Sequence, residues 1–152
     1  MRDDAFDTIN ELLVHLFHEI LELEEQAIIT EEYKDISNND MHIIEAIGLG
    51  ENSTMSMVAK KLRITAGSLT TSINSLVRKN YVIRKRSEKD RRVVYIILTE
   101  KGCRAYQHHK QFHIHMVNAA IEKMDEEELS VLVSTLNKLT AFFKKYQENP
   151  QD

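Results

Sequence analysis

Positions 66–79 read Ala-Gly-Ser-Leu-Thr-Thr-Ser-Ile-Asn-Ser-Leu-Val-Arg-Lys, without one acid among them. At about 100° per residue, Leu69, Ile73, Leu76 and Val77 fall on one side of a helix. Gly67, Thr71, Asn74, Ser75 and Arg78 fall on the other, flanked by Ser68 and Thr70. Small hydroxyl and amide side chains on a slim face let a helix enter a DNA major groove, where they meet base edges and phosphates. A carboxylate on that face would repel phosphate. Ser68, Thr70, Thr71, Asn74, Ser75 and Arg78 are therefore candidate DNA contacts. A second group follows in Arg86-Ser87-Glu88-Lys89-Asp90-Arg91-Arg92. Arg86, Lys89, Arg91 and Arg92 suit a polyanion, and an arginine at such a tip can enter a narrow minor groove. Asp90, among so many bases, reads as an intramolecular partner that pairs with a nearby arginine and fixes the tip. The plainer reading of these arginines is solvated loop charge of little worth.

Charge along the chain favours the polyanion. The 152 residues carry 20 Lys+Arg against 24 Asp+Glu, a net charge of −4. Residues 60–110 hold 14 of the bases and 3 of the acids, a local charge of +11, so the remainder stands at −15. A basic middle between acidic ends suits a DNA-binding module on a solvated scaffold. The single cysteine, Cys103, excludes an internal disulfide and suits a reducing compartment. No apolar run approaches membrane-spanning length and no secretion signal is visible, so the expected location is cytoplasmic, with no membrane partner.

A third group is made of histidines. His108, His109, His113 and His115 fall on one helical segment, with His109 and His113 on its apolar face. An i,i+4 pair of imidazoles can grip one metal ion, with His42 or Glu24 as a third ligand. Histidines on an apolar stripe are more often core residues bonded to backbone or carboxylates. As a catalytic metal site this helix would need Glu24 as general base. The sequence has no His-Glu-x-x-His, no phosphate-cradling glycine loop and no nucleophile elbow, so it does not read as an enzyme.

Hydrophobic spacing supplies the elements that must position these groups. With four glycines and one proline, little interrupts helices. Phe6, Ile9, Leu12, Leu13, Leu16, Phe17, Ile20 and Leu21 predict a long amphipathic helix over 4–29. Ser37 and Asp40 predict a capped short helix ending near Gly48 and Gly50, and Ser53 or Thr54 caps the next. A tight turn at 63–65, with Thr65 as N-cap, leads into a helix over 66–79. The period then changes: Val82-Ile83 and Val93–Leu98 read as two strands around the 87–92 tip. Thr99 starts a long helix to about Lys123, and Asp125 opens the last one. Two short helices, a turn and a hairpin make a winged helix-turn-helix over 37–98. The predicted fold is mainly α with a small β-hairpin. The long helices, in 1–36 and 99–152, expose more apolar surface than one subunit covers. They predict a homodimer and hence a pseudo-palindromic operator on double-stranded DNA, with half-sites about one turn (~34 Å) apart.

The run Thr65-Ala66-Gly67-Ser68-Leu69-Thr70-Thr71-Ser72-Ile73-Asn74-Ser75-Leu76-Val77-Arg78-Lys79, the Ser87–Arg92 tip and the Leu98-Thr99-Glu100-Lys101-Gly102 that follows resemble the MarR family of transcriptional regulators. The resemblance implies a repressor whose first and last two helices interlock as a dimer, with 66–79 as recognition helix and Arg92 in the minor groove. Arg63 stands where many helix-turn-helix proteins carry glycine. Within the family, Glu24, His42, His109 and His113 match a zinc site of the zinc-uptake regulators. The likeness to the branch that represses fatty-acid synthesis is greater. It runs through Lys34-Asp35-Ile36-Ser37, Met41-His42, Thr70-Thr71-Ser72, the Arg84–Val94 wing and His109-Lys110-x-Phe112-His113. That branch shares the Glu/His arrangement. It implies a long-chain acyl-acyl-carrier-protein as effector, with the acyl chain in an apolar tunnel that Leu13, Phe17, Leu21, Met41 and Met57 would line. No cofactor is required on this reading, and zinc is the alternative effector, ahead of a phenolic ligand. Cys103 has no partner thiol and sits far from the N-terminal cysteine of the peroxide-sensing branch.

Overall fold

The computed structural model describes residues 2–28, 30 and 32–148. They form six helices and one hairpin: α1 (Arg2–Ile28), α2 (Asn38–Ile47), α3 (Met55–Leu62), α4 (Ala66–Arg78), β1 (Val82–Arg86), β2 (Val94–Leu98), α5 (Glu100–Ile121) and α6 (Glu126–Glu148). The chain divides into two compact units, residues 1–112 and 113–152. Among the described residues, no helix is long and apolar enough to cross a membrane. The predicted first helix holds to Ile28; its expected last residue, 29, lies outside the described residues, as do 1, 31 and 149–152 of the segments assigned to dimerisation.

The first unit holds the core. Ile43, Ile44 and Ile47 of α2, Val58 of α3, Leu69, Ile73 and Leu76 of α4, and Ile96 and Leu98 of β2 are buried together. Each short helix begins on a side-chain cap. Ser37 Oγ accepts from Asp40 N at 3.1 Å while Asp40 Oδ2 accepts from Ser37 N at 3.1 Å, a reciprocal capping box. Thr54 and Thr65 cap α3 and α4 through the amides of Met57 and Ser68. Of the two cap candidates for α3, Thr54 serves. Ser53 instead donates from Oγ to the Ile47 carbonyl at 2.7 Å, and its own carbonyl accepts from Ile96 N at 2.8 Å. The α2–α3 junction is thereby stitched to β2.

The ends of α3 and α4 share a device. Ile64 N donates to Ala59 O and Arg63 N to Lys60 O, while Tyr81 N donates to Leu76 O and Asn80 N to Val77 O. These are two Schellman closures with left-handed residues, Arg63 (φ 56°) and Asn80 (φ 64°), where glycine is usual. The turn into the recognition helix thus keeps its geometry with arginine in the left-handed region, at a backbone cost of about 1–2 kcal/mol.

β1 and β2 are longer and shorter, respectively, than predicted. β1 runs on through Arg84, Lys85 and Arg86, charged residues that alternate on an exposed ribbon, and Val93 belongs to the tip. The strands pair antiparallel from Val82↔Leu98 to Arg86↔Val94. In the second unit, α6 opens on a capping box in which Glu128 N donates to Asp125 Oδ1 at 2.9 Å and Asp125 N to Glu128 Oε2 at 3.0 Å. No described residue of α6 is buried.

Candidate nucleic-acid interface

The burial of α4 divides it along the predicted angle. Leu69, Ile73 and Leu76 are fully buried, whereas Ser68, Thr70, Thr71, Asn74 and Arg78 are exposed and Ser75 is half-buried. Thr70 Oγ1 donates to Ala66 O at 2.7 Å and Thr71 Oγ1 to Gly67 O at 3.3 Å. Their hydroxyl hydrogens are spent on the helix's own carbonyls, so bonding a phosphate oxygen requires each hydroxyl to turn outward. Ser68 differs: its oxygen accepts from Thr65 Oγ1 at 3.0 Å, which leaves its own hydrogen available.

At the hairpin tip, Asp90 is the anchor. Its Oδ1 accepts from Arg92 N at 3.0 Å and Nε at 3.1 Å, and its Oδ2 accepts from Nη2 at 3.0 Å. The backbone closes around it through Val93 N to Asp90 O and Ser87 N to Val93 O, both 2.9 Å. These bonds from Arg92 hold the Asp90 carboxyl below the usual carboxylate range and raise the guanidinium further. Arg92 is held at its amide and along the Nε–Nη2 edge of its guanidinium, yet its side chain is 91% exposed and its outer edge faces away from Asp90, open to a polyanion. Arg86, Lys89 and Arg91 are exposed around it. A hollow of about 400 Å³ beside the tip is lined by Arg86, Ser87, Glu88 and Arg91.

Two features of this surface escaped sequence reasoning. Arg84 of β1 donates from Nη2 to Asn74 Oδ1 at 2.6 Å, joining wing to recognition helix. Its place among the basic residues of 84–86 was visible, but its partner, ten residues upstream on another element, was not. The second is a brace behind α4. Tyr81 OH donates to Asp35 Oδ1 at 2.7 Å. Lys101 Nζ lies 3.4 Å from Asp35 Oδ2, donates to Lys79 O at 3.2 Å and sits 4.0 Å from the Tyr81 ring centre. Burial pushes the Asp35 carboxyl up, but the Tyr81 hydroxyl and Lys101 outweigh it and leave the group below its ordinary value. Burial, then the bond to Asp35, drives the Tyr81 hydroxyl well above its own. Thr99 Oγ1 donates to Asn80 O at 2.6 Å and accepts from Gly102 N at 3.1 Å. A Cβ on Gly102 would lie 2.2 Å from the Tyr81 carbonyl oxygen. The Leu-Thr-x-x-Gly run is thus the clasp between the end of the recognition helix and the start of α5.

The carboxylate and histidines gather elsewhere in the first unit. Glu24 and His109 are buried. Glu24 Oε2 lies 3.5 Å from His42 Nε2 and accepts from Asn38 Nδ2 at 3.3 Å. The His42 and His109 rings stand 5.9 Å apart, and His109 Nε2 is 3.8 Å from Glu45 Oε2. His113 follows one turn beyond His109 on α5. His108 takes a structural role, donating from Nε2 to the Ala27 carbonyl at 2.9 Å. Of the residues assigned to an apolar tunnel, Met41 is fully buried in the core, Leu13 is half-buried, and Phe17, Leu21 and Met57 are 60%, 50% and 57% exposed.

Comparison with known proteins bears on what such a surface is for. The family described as transcriptional regulator SarA/Rot matches residues 26–109. The crystal structure of Streptococcus pneumoniae FabT in complex with DNA is 43% identical to this chain, with a TM-score of 0.87 over 92% of this chain and 98% of that one. A solved MarR family transcription regulator, 16% identical, shares the fold at a TM-score of 0.81 over 97% and 96%. The uncharacterized HTH-type transcriptional regulator YpoP of Bacillus subtilis is 26% identical over 106 residues, which are 70% of this chain and 75% of that protein.

Proposed function

Because this chain belongs to the MarR family of transcriptional regulators, we propose that it is a cytoplasmic homodimer that binds a pseudo-palindromic operator and represses transcription by occluding a promoter. The observation that carries this reading is the outer face of α4, exposed, free of acids and set beside a wing whose Arg92 is anchored by Asp90. In this reading Ser68, Thr70, Thr71, Asn74, Ser75 and Arg78 meet the major groove or its phosphates. Arg86, Lys89 and Arg91 meet the backbone, and Arg92 meets the minor groove. The helices in 1–36 and 99–152 form the dimer. The relative of 43% identity was solved on DNA, which supports the same partner here.

The genes controlled are those of fatty-acid biosynthesis, and the effector is a long-chain acyl-acyl-carrier-protein. Support comes from the likeness to the fatty-acid-synthesis branch and from the 43% identity to FabT over nearly the whole chain. Leu13, Phe17, Leu21 and Met57, which are exposed or half-buried in a single chain, are available to line an acyl tunnel, with Met41 behind them. Fluorescence anisotropy on DNA upstream of a fatty-acid-synthesis operon tests this, with and without the acylated carrier. Tighter binding with the carrier is expected, and binding indifferent to it overturns the effector.

Zinc is the second reading, favoured by the meeting of Glu24, His42 and His109 in the first unit. One carboxylate and imidazoles, with His113 a turn further along α5, are a donor set that suits zinc. A bound ion would hold α1, α2 and α5 in one arrangement. Titrating chelator-treated protein with zinc while following its unfolding midpoint and operator affinity tests this. Both should rise in the wild type and in neither Glu24→Gln nor His109→Ala; no rise in the wild type removes zinc.

A further inference from the structure

We infer that Arg84 is a positioning residue that decides which base edge Asn74 reads, an inference resting on the DNA-binding reading above. Asn74 lies on the exposed face of α4, and Arg84 reaches it from β1 with a 2.6 Å bond from Nη2 to Oδ1. The two ends of an asparagine amide differ in chemistry: one oxygen that accepts, one nitrogen that donates twice. A guanidinium carries donors only. The amide oxygen is therefore the end that must face Arg84, and the Nδ2 group is the end left for an outside partner.

This orientation has a consequence for recognition. The familiar pairing of asparagine with adenine uses both ends, Nδ2 toward N7 and Oδ1 toward the N6 amino group. With Oδ1 engaged by a charged donor, adenine has to share that oxygen or pull it away, and charge-assisted bonds are the stronger kind. Guanine, with N7 and O6, and thymine, with O4, ask only for a donor. Arg84 thus turns a residue suited to adenine into one that prefers guanine or thymine.

Enrichment of duplexes from a random library by the full-length protein tests this at one fixed salt concentration, with each variant's unfolding midpoint measured alongside. Asn74→Ala marks the position concerned, as the one where preference flattens. At that position the wild type is expected to take guanine or thymine. Arg84→Met should shift the ratio toward adenine by about tenfold, while Arg84→Lys, also a pure donor, should keep the original preference. Asn74→Asp gives an independent arm: an oxygen still faces Arg84, but an acceptor replaces the outward amide nitrogen, and preference should pass to cytosine with its N4 donor. Unchanged preference in Arg84→Met with affinity lowered evenly across sequences overturns the inference, as does retained guanine or thymine in Asn74→Asp. A wild-type protein that enriches no motif overturns the DNA-binding reading itself, so the two failures are distinct.

Discussion

Asp90 and Arg92 share three hydrogen bonds at a tip where neither is buried, so their pairing adds little to folding and its use lies in presentation. Two substitutions separate charge from posture. Arg92→Ala removes a cation and should weaken operator binding about tenfold, flatten the salt dependence by about one ion and leave the dimer intact. Asp90→Ala leaves the cation but frees it to wander, so affinity should fall by less and the salt slope should hold. Anisotropy titrations at several salt concentrations read both; equal slopes for the two variants would mean that Arg92 touches no DNA. Gly102 poses the opposite problem, one of space. Alanine there gains helix propensity of about 1 kcal/mol, but its methyl would meet the Tyr81 carbonyl oxygen at 2.2 Å. Backbone cannot step aside cheaply, and overpacking costs about 1–3 kcal/mol. The clash should win, so Gly102→Ala is expected to lower the unfolding midpoint by several degrees, and an unchanged midpoint would mean the clasp is loose.

At the scale of elements, the helices and the hairpin were legible because each signal was local. Period and caps announced α2, α4 and α6 through Ser37, Thr65 and Asp125, and β-branched residues announced β2. What was not legible came from contacts between distant stretches or from the absence of the usual marker. Arg63 and Asn80 end helices in left-handed geometry without glycine to advertise it. The Glu24–His42 approach was expected from the candidate metal set, whereas the brace in which Asp35 meets Tyr81 from 46 positions away was not. That last brace, which ties the α1–α2 segment and α5 to the end of the recognition helix, makes the fold's stability depend on pH at both ends. Asp35 is held below its ordinary value in the folded state. Its contribution is complete above about pH 4, where the unfolded carboxyl is ionised, and is lost as pH falls through the folded value. Tyr81 is held above its ordinary value, so its contribution is complete below about pH 10 and fades as pH rises through the folded value. Many carboxylates titrate in acid, so the informative quantity is a difference. Between pH 6 and pH 3, Asp35→Asn should lose less stability than the wild type, since it has no charge to neutralise. Parallel unfolding curves for the two would remove the brace as an acid-sensitive element. Because the carboxylate is 40% exposed, the difference should be modest.

The molecule as a whole has more apolar surface than one chain covers. Along α1, Phe6, Ile9, Leu12, Leu16 and Phe17 are each more than half exposed, and along α6 Leu136 and Tyr146 are too, with Val133 at 50% and Phe143 at 45%. Both helices recur at helical spacing, so each carries a continuous apolar stripe rather than scattered exceptions. Stripes of this length on a monomer invite association, and on the reading proposed above they are where a second copy fits. If that copy supplies the missing cover, folding and dimerisation are one equilibrium, and stability must follow protein concentration. The unfolding midpoint should then rise by roughly 2 °C or more for each tenfold increase in concentration. Leu12→Glu and Leu136→Glu each place a charge in the stripe and should shift the protein toward monomer in sedimentation experiments while leaving the first unit's core untouched. Operator affinity should fall with them, since two recognition helices spaced one turn apart bind far more tightly than one. A midpoint independent of concentration, together with variants that sediment and bind as the wild type does, would mean these stripes serve another purpose and that a single chain reads the DNA alone.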